Sequence, residues 1–170
     1  MTNMAQPLAA RMRPTSLDEI VGQDHLVYDG SPLSLLADGK SRSSVLLYGP
    51  PGTGKTSIAR VIAASTDQRF VELSATSAGV KQVRDEIAAA VKVQQEDNRV
   101  TVLFLDEIHR FSKAQQDVLL DAVEHGKIAL IAATTENPSF AVNSALVSRS
   151  VLMVLEPIGV DGITKLLSRA

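Results

Sequence analysis

Five short runs along the chain are apolar at nearly every position: Val45–Tyr48, Phe70–Leu73, Thr101–Leu105, Ile128–Ala133 and Val151–Leu155. A strand with one wet face alternates apolar and polar residues, whereas a strand of a parallel sheet covered on both faces does not. The stretches between these runs follow a helical period instead. Lys55–Ser65 is one, and Val80–Gln94 carries apolar residues at 80, 83, 87, 90 and 91. Ser112–Glu124 opens with Ser-x-x-Gln, the pattern of a capping box, and turns 118, 119, 122 and 123 to one side. Ser31 before Pro32 places an N-cap ahead of a proline at the first helical position, predicting a short helix over 32–38 that Gly39 ends. Strands alternating with helices imply right-handed crossovers, hence an α/β fold: a three-layer α/β/α sandwich on a five-stranded parallel sheet. Residues 1–30 are polar, hold Pro7 and Pro14, and read as an irregular arm with one turn near Leu17–Val21. A last helix, Gly162–Ala170, has no later element to pack on, so residues 157–170 are expected to open a further unit of a longer protein.

Composition narrows the functional classes. A length of 170 residues suits one domain, and 45% apolar residues suffice for a core. Seventeen Lys and Arg against 19 Asp and Glu leave a charge of −2, which argues against a constitutively basic DNA-coating protein but leaves room for a local basic patch. With no cysteine there is no disulfide, no thiolate metal site and no cysteine nucleophile, a composition that suits a reducing cytosol. None of the three histidines has a ligand-spaced partner, so no zinc is expected. No apolar run approaches the ~20 residues that span a bilayer, and the first residues lack the core of a signal peptide. Aromatic residues are only 4%, few for a protein that stacks successive bases.

The chemistry is carried by three strand ends. Gly49-Pro50-Pro51-Gly52-Thr53-Gly54-Lys55-Thr56 fits G-x-x-x-x-G-K-[ST], and it lies between an apolar strand and a helix, where a phosphate-binding loop must lie. Its glycines let successive N–H groups face phosphate oxygens, and the following helix adds positive potential. Lys55 is placed to reach the β- and γ-phosphates of ATP, and Thr56 to ligate Mg²⁺. Fifty-one residues after Lys55, the run Val102–Leu105 ends in Asp106-Glu107. Asp106 at the strand end can hold the magnesium shell, and Glu107 is the natural base for an attacking water. The next strand ends Ala133-Thr134-Thr135-Glu136-Asn137, polar residues suited to sensing a γ-phosphate; the turn at Asn137-Pro138 explains part of that composition equally well. Arg149, just before the fifth run, is either a salt-bridged surface residue or an arginine finger offered to a neighbouring molecule. Phe111 and Phe140 fall just past the second and third motifs, and core packing and a partner-facing or DNA-facing role both stay open for them.

In this order the motifs resemble those of AAA+ ATPases on the clamp-loader side of that superfamily, and most closely the replication-associated recombination protein A family, bacterial relatives of the Werner-helicase-interacting ATPase. The resemblance is carried by Leu8–Pro14, Val21–Leu26, Gly49–Thr56, Leu105–Phe111, Ala133–Phe140 and Asn143–Arg149. Asp-Glu-Ile-His-Arg and Ala-Thr-Thr occur also in the Holliday-junction branch-migration motor, whereas Thr-Thr-Glu-Asn-Pro-Ser-Phe discriminates. The resemblance implies the sheet order 5-1-4-3-2, with Val21 and Gly22 lining an adenine pocket. It implies Thr135 as first sensor, with Thr134 or Asn137 as fallback, and Arg149 as a finger acting in trans. It divides the chain into an arm (1–30), an ATPase core (31–156) and the beginning of a helical lid (157–170). Family members continue with a second sensor arginine and a region that builds a homotetramer, so ATP hydrolysis is expected of the complete protein. The expected function is that of a DNA-dependent ATPase at stalled replication forks, at ends or gaps. DNA and single-strand-binding protein are the expected partners, and the cytoplasm, at the nucleoid, is the expected location. A clamp-loader subunit or branch-migration motor, and a nucleotide-gated binding module without hydrolysis, are the rival readings.

Overall fold

The computed structural model describes residues 6–170. Five strands form one parallel sheet: β1 (Ser44–Tyr48), β2 (Arg69–Ser74), β3 (Thr101–Asp106), β4 (Ala129–Thr134) and β5 (Ser150–Val154). Their spatial order is β2-β3-β4-β1-β5, the order expected from the family likeness. β1 therefore lies between β4 and β5, with Val45 opposite Ile131 on one side and Val151 on the other. Chain direction reverses its lateral course at β1, which opens a crevice at the carboxyl ends of the strands.

Alternation along the strands feeds two cores. Val45, Leu47, Val102, Phe104, Ala129, Ile131 and Ala133 pack against α2 (Pro32–Ala37) and α3 (Lys55–Ser65). Leu46, Leu103, Leu105, Leu130 and Ala132 point the other way, to α4 (Val80–Asp97) and α5 (Lys113–Glu124). Both faces are covered, so the inner strands need no polar residue, and the three layers follow. The edge strand β5 differs: Val151, Leu152 and Val154 stay exposed although the run reads as apolar throughout.

Local signals decide where helices start. Ser31 accepts from the Ser34 N–H with Pro32 behind it, and Ser112 with Gln115 forms the full capping box. Helix α5 turns Leu119 and Ala122 fully inward and leaves Val118 and Val123 at the margin, while polar Gln116 is buried with them. The arm is more ordered than its composition suggests: α1 (Leu8–Arg11) and a 3-10 turn at Leu17–Glu19 precede α2. The first five arm residues lie outside the described part. A second 3-10 turn (Ile108–Arg110) follows β3, and the short helices α6 (Pro138–Ala141) and α7 (Ser144–Ser148) link β4 to β5. The last helix, α8 (Val160–Ser168), begins two residues before the expected Gly162 and has no buried residue.

Candidate functional site

The loop after β1 folds around its own lysine. Gly52 and Gly54 have φ of +77° and +100°, the left-handed region that only glycine enters without strain. Gly49 is needed for another reason: a Cβ there would lie 2.9 Å from the Leu155 carbonyl oxygen and 3.1 Å from Thr53 Oγ1. Lys55 opens α3 and is buried; its Nζ donates to the carbonyls of Gly49 and Pro50 at 2.8 Å each. Thr53 Oγ1 donates to the Pro50 carbonyl at 2.8 Å, tightening the turn. Burial lowers the Lys55 pKa, and the carboxylate of Asp106 works against that shift.

Asp106 ends β3 beside this loop. Burial raises its pKa; the Glu107 N–H, 3.0 Å from Oδ1, opposes the rise, the Glu107 charge adds to it, Lys55 opposes it and Glu72 adds again. Glu107 has φ +57° and ψ 46°, a left-handed conformation that costs a residue with a Cβ about 1–3 kcal/mol and is concentrated at functional sites. That conformation turns the chain off the sheet edge into the Ile108–Arg110 turn. His109 Nδ1 ties this turn to β4 through Thr134 Oγ1 at 3.0 Å.

The loop and the end of β3 border one cleft of about 560 Å³. Pro51 through Thr56, Asp106, Glu107, Thr135 and Val21 line it. Of the three sensor candidates, Thr135 faces the cleft. Thr134 is buried, bonded by His109 and by the Glu136 N–H at 3.0 Å, and Asn137 Oδ1 caps α6 through the Ser139 N–H. Gly49 and Pro50 lie behind the cleft as acceptors for Lys55, and Gly22, at φ +84°, packs against Ile158. Arg149 stands apart: it precedes β5 at the opposite edge of the sheet, its Nη2 2.9 Å from Glu124 Oε1.

Sequence reasoning passed over three contributors. Ala9, Met12, Arg13 and Pro14 of the arm line the cleft, and the Arg-Met-Arg-Pro stretch was the available signal. Ile158 and Leu166 close it from the α8 side. Gln23, 0% exposed, donates Nε2 to the Thr53 carbonyl (3.0 Å) and the Glu156 carbonyl (2.7 Å) and accepts from the Glu156 N–H (3.0 Å). One amide thus joins arm, phosphate loop and the connection to α8; only its position next to Val21-Gly22 hinted at it.

A chain of backbone donors, a buried ammonium and a helix amino end facing one cavity suit a polyphosphate. The Thr56 hydroxyl and Asp106 carboxylate are hard oxygen donors that fit Mg²⁺. Glu107 supplies a carboxylate for a water beside them. The apolar wall of Val21, Ile158 and Met12 suits a flat base.

Residues 45–156 match the ATPase family associated with various cellular activities (AAA), and the chain belongs to that family. Among its relatives, the replication-associated recombination protein A of Escherichia coli is 45% identical over 168 residues, 99% of this chain and 37% of that protein. An AAA domain-containing protein of Mycobacterium tuberculosis is 55% identical over 96% of this chain and 36% of its own length. This chain therefore spans little more than a third of those relatives. In structure it is similar to the Holliday junction branch migration motor RuvB of Thermotoga maritima, with a TM-score of 0.73 and 31% identity, covering 93% of this chain and 53% of that one.

Proposed function

We propose that this chain is the ATPase core of a DNA-dependent protein that acts at stalled replication forks in recombination and repair. The observation that carries the reading is the convergence of the phosphate loop, Asp106, Glu107 and Thr135 on one cleft at the sheet's switch point. The names of its sequence relatives supply the setting: replication-associated recombination proteins, and the ATPase WRNIP1 of Dictyostelium discoideum at 42% identity.

In this reading the loop amides and Lys55 bind the triphosphate, and Val21 and Gly22 border the base. Thr56 and Asp106 would hold Mg²⁺, which when bound neutralises phosphate charge. Glu107 orients and deprotonates the attacking water, and Thr135 hydrogen-bonds near the γ-phosphate. Arg149, remote from its own cleft and exposed, completes the cleft of a neighbouring copy. Residues 31–156 form the core, 1–30 the arm that borders the base, and 157–170 the start of a lid. The complete protein works as a homotetramer in the cytoplasm, at the nucleoid, on DNA ends or gaps and together with single-strand-binding protein. Among the described residues no helix is long and apolar enough to cross a membrane.

The test is ATP turnover by the complete protein with and without forked DNA. Stimulated turnover that Glu107→Gln lowers by about 10²–10⁴ while ATP still binds supports the reading. Turnover indifferent to DNA contradicts DNA dependence, and undiminished turnover in Glu107→Gln removes it as the base.

A further inference from the structure

Two phenylalanines that the sequence leaves equivalent part company in the fold. Phe111 is 4% exposed in the core beside α5, whereas Phe140 is 90% exposed on α6. Phe140 does not sit on a loose loop. Pro138 at the start of the same helix is buried, and Asn137 caps it. Buried Gln116 donates to the Ala141 carbonyl at 3.0 Å and accepts from the Asn143 N–H at 2.7 Å, gripping the segment on the far side of the ring. The Asn143 amide in turn reaches Asp117 Oδ1 at 2.8 Å and the Lys113 carbonyl at 3.4 Å. A rigid turn thus holds an aromatic ring out in water.

The segments next to α6 carry two cations. α6 packs on the turn that ends in Arg110, and Lys113 begins α5 next to Asn143. Both side chains belong to exposed residues, and among the described residues neither is ion-paired. Of the carboxylates on these segments, Asp117 accepts from Asn143, and Glu136 is exposed just ahead of the α6 cap. A protein-docking site of this size would set its aromatic anchor among other apolar residues; Ser139, Asn137, Arg110 and Lys113 are not such a setting. An exposed flat ring, on a segment that packs on the turn ending in Arg110 and bonds the backbone of Lys113, matches a base and its flanking phosphates. A duplex keeps its bases stacked inside, so the matching form is single-stranded.

We infer that Phe140, with Arg110 and Lys113, seats one unstacked base of single-stranded DNA and its phosphates; this rests on the DNA-dependent reading above. The seat adjoins the ATP cleft on two sides. Arg110 follows His109, which bonds Thr134, and the chain from Thr135 in the cleft reaches Phe140 within five residues. A strand bound there touches both segments that border Glu107 and Thr135. One ring per copy also accommodates the low aromatic content, because an assembly of copies repeats it.

The experiment is fluorescence anisotropy of a labelled oligothymidylate with the complete protein, alongside DNA-free ATP turnover. Phe140→Ala weakens binding by about 5- to 100-fold, the range of one lost base stack, and leaves DNA-free turnover unchanged. Phe140→Trp keeps the affinity, since any broad π-face serves. Arg110→Ala with Lys113→Ala lowers the salt slope of binding by roughly 1–2, whereas Phe140→Ala leaves that slope alone. Binding of the oligothymidylate by wild type and Phe140→Ala with equal affinity overturns the inference while sparing the DNA-dependent reading. Failure of the wild type both to bind the oligonucleotide and to respond to forked DNA overturns the two together. Unchanged affinity with lost self-association in Phe140→Ala assigns the ring to a contact between copies, and also overturns the inference. Tighter binding of oligouridylate than of oligothymidylate overturns the choice of DNA.

Discussion

Replacing Gln23 with alanine tests how the site is held together. The side chain is fully buried and makes three hydrogen bonds to backbone groups 30 and 133 residues away, at Thr53 and Glu156. Truncation leaves the Thr53 carbonyl and both polar groups of Glu156 without that partner. At a net ~1 kcal/mol for each bond, the loss is about 3 kcal/mol, and more if the orphaned groups stay dry. For a domain of this size that lowers the Tm by roughly 6–12 °C. Thermal unfolding followed by circular dichroism measures it. Gln23→Glu sharpens the test, because it keeps the acceptor for the Glu156 N–H but turns a carboxylate oxygen toward two carbonyls. It should be less stable than Gln23→Ala at neutral pH and recover at acid pH, where the protonated carboxyl can donate once more. A Gln23→Ala protein that melts within about 1 °C of wild type, against that ~3 kcal/mol expectation, or a Gln23→Glu protein as stable as wild type at pH 7, would show that these bonds do not hold the site together.

Asp106→Asn should raise the Tm in the absence of nucleotide and metal, because burial makes the folded protein hold this proton more tightly than the unfolded chain does. The ionised carboxylate therefore costs stability above the carboxylate range, and the gain should shrink as pH falls and wild-type Asp106 protonates; a melting series over pH checks both. Arg149→Ala should leave ATP affinity intact and cut turnover of the complete protein by about 10³–10⁵. Mixing it with Glu107→Gln copies, which keep Arg149, should restore part of the activity; no restoration in a steady-state assay rules out action in trans.

The fold was legible where one physical cause dominates. Parallel strands covered on both faces need apolar residues throughout, so β1, β3 and β4 stand out in the sequence within a residue or two of their observed ends. The same reasoning overstates β5, whose outer positions face solvent because it is an edge. The phosphate loop was legible because its backbone requires glycines at fixed spacing, and Asp106-Glu107 because it ends an apolar strand. Buried amides were not. Gln116 takes the position where a staple onto Phe111 would want an apolar side chain, and it is buried because it satisfies the backbone at Phe111, Ala141 and Asn143. Gln23 plays a similar part between the loop and the connection to α8. Hydrophobic periodicity counts both as surface residues, since the bonds that bury them come from segments distant in sequence. Phe111 and Phe140 could not be separated for the same reason.

Every role proposed for the site depends on ATP binding in the cleft around Lys55. Isothermal titration of ATP with Mg²⁺ into the complete wild-type protein and its Lys55→Ala variant tests it most directly. One site per chain is expected in the wild type, with an affinity loss of at least about 100-fold in the variant, from removing a buried, charge-assisted partner of the phosphates. Equal affinity in the two proteins, with the variant still folded, would contradict it.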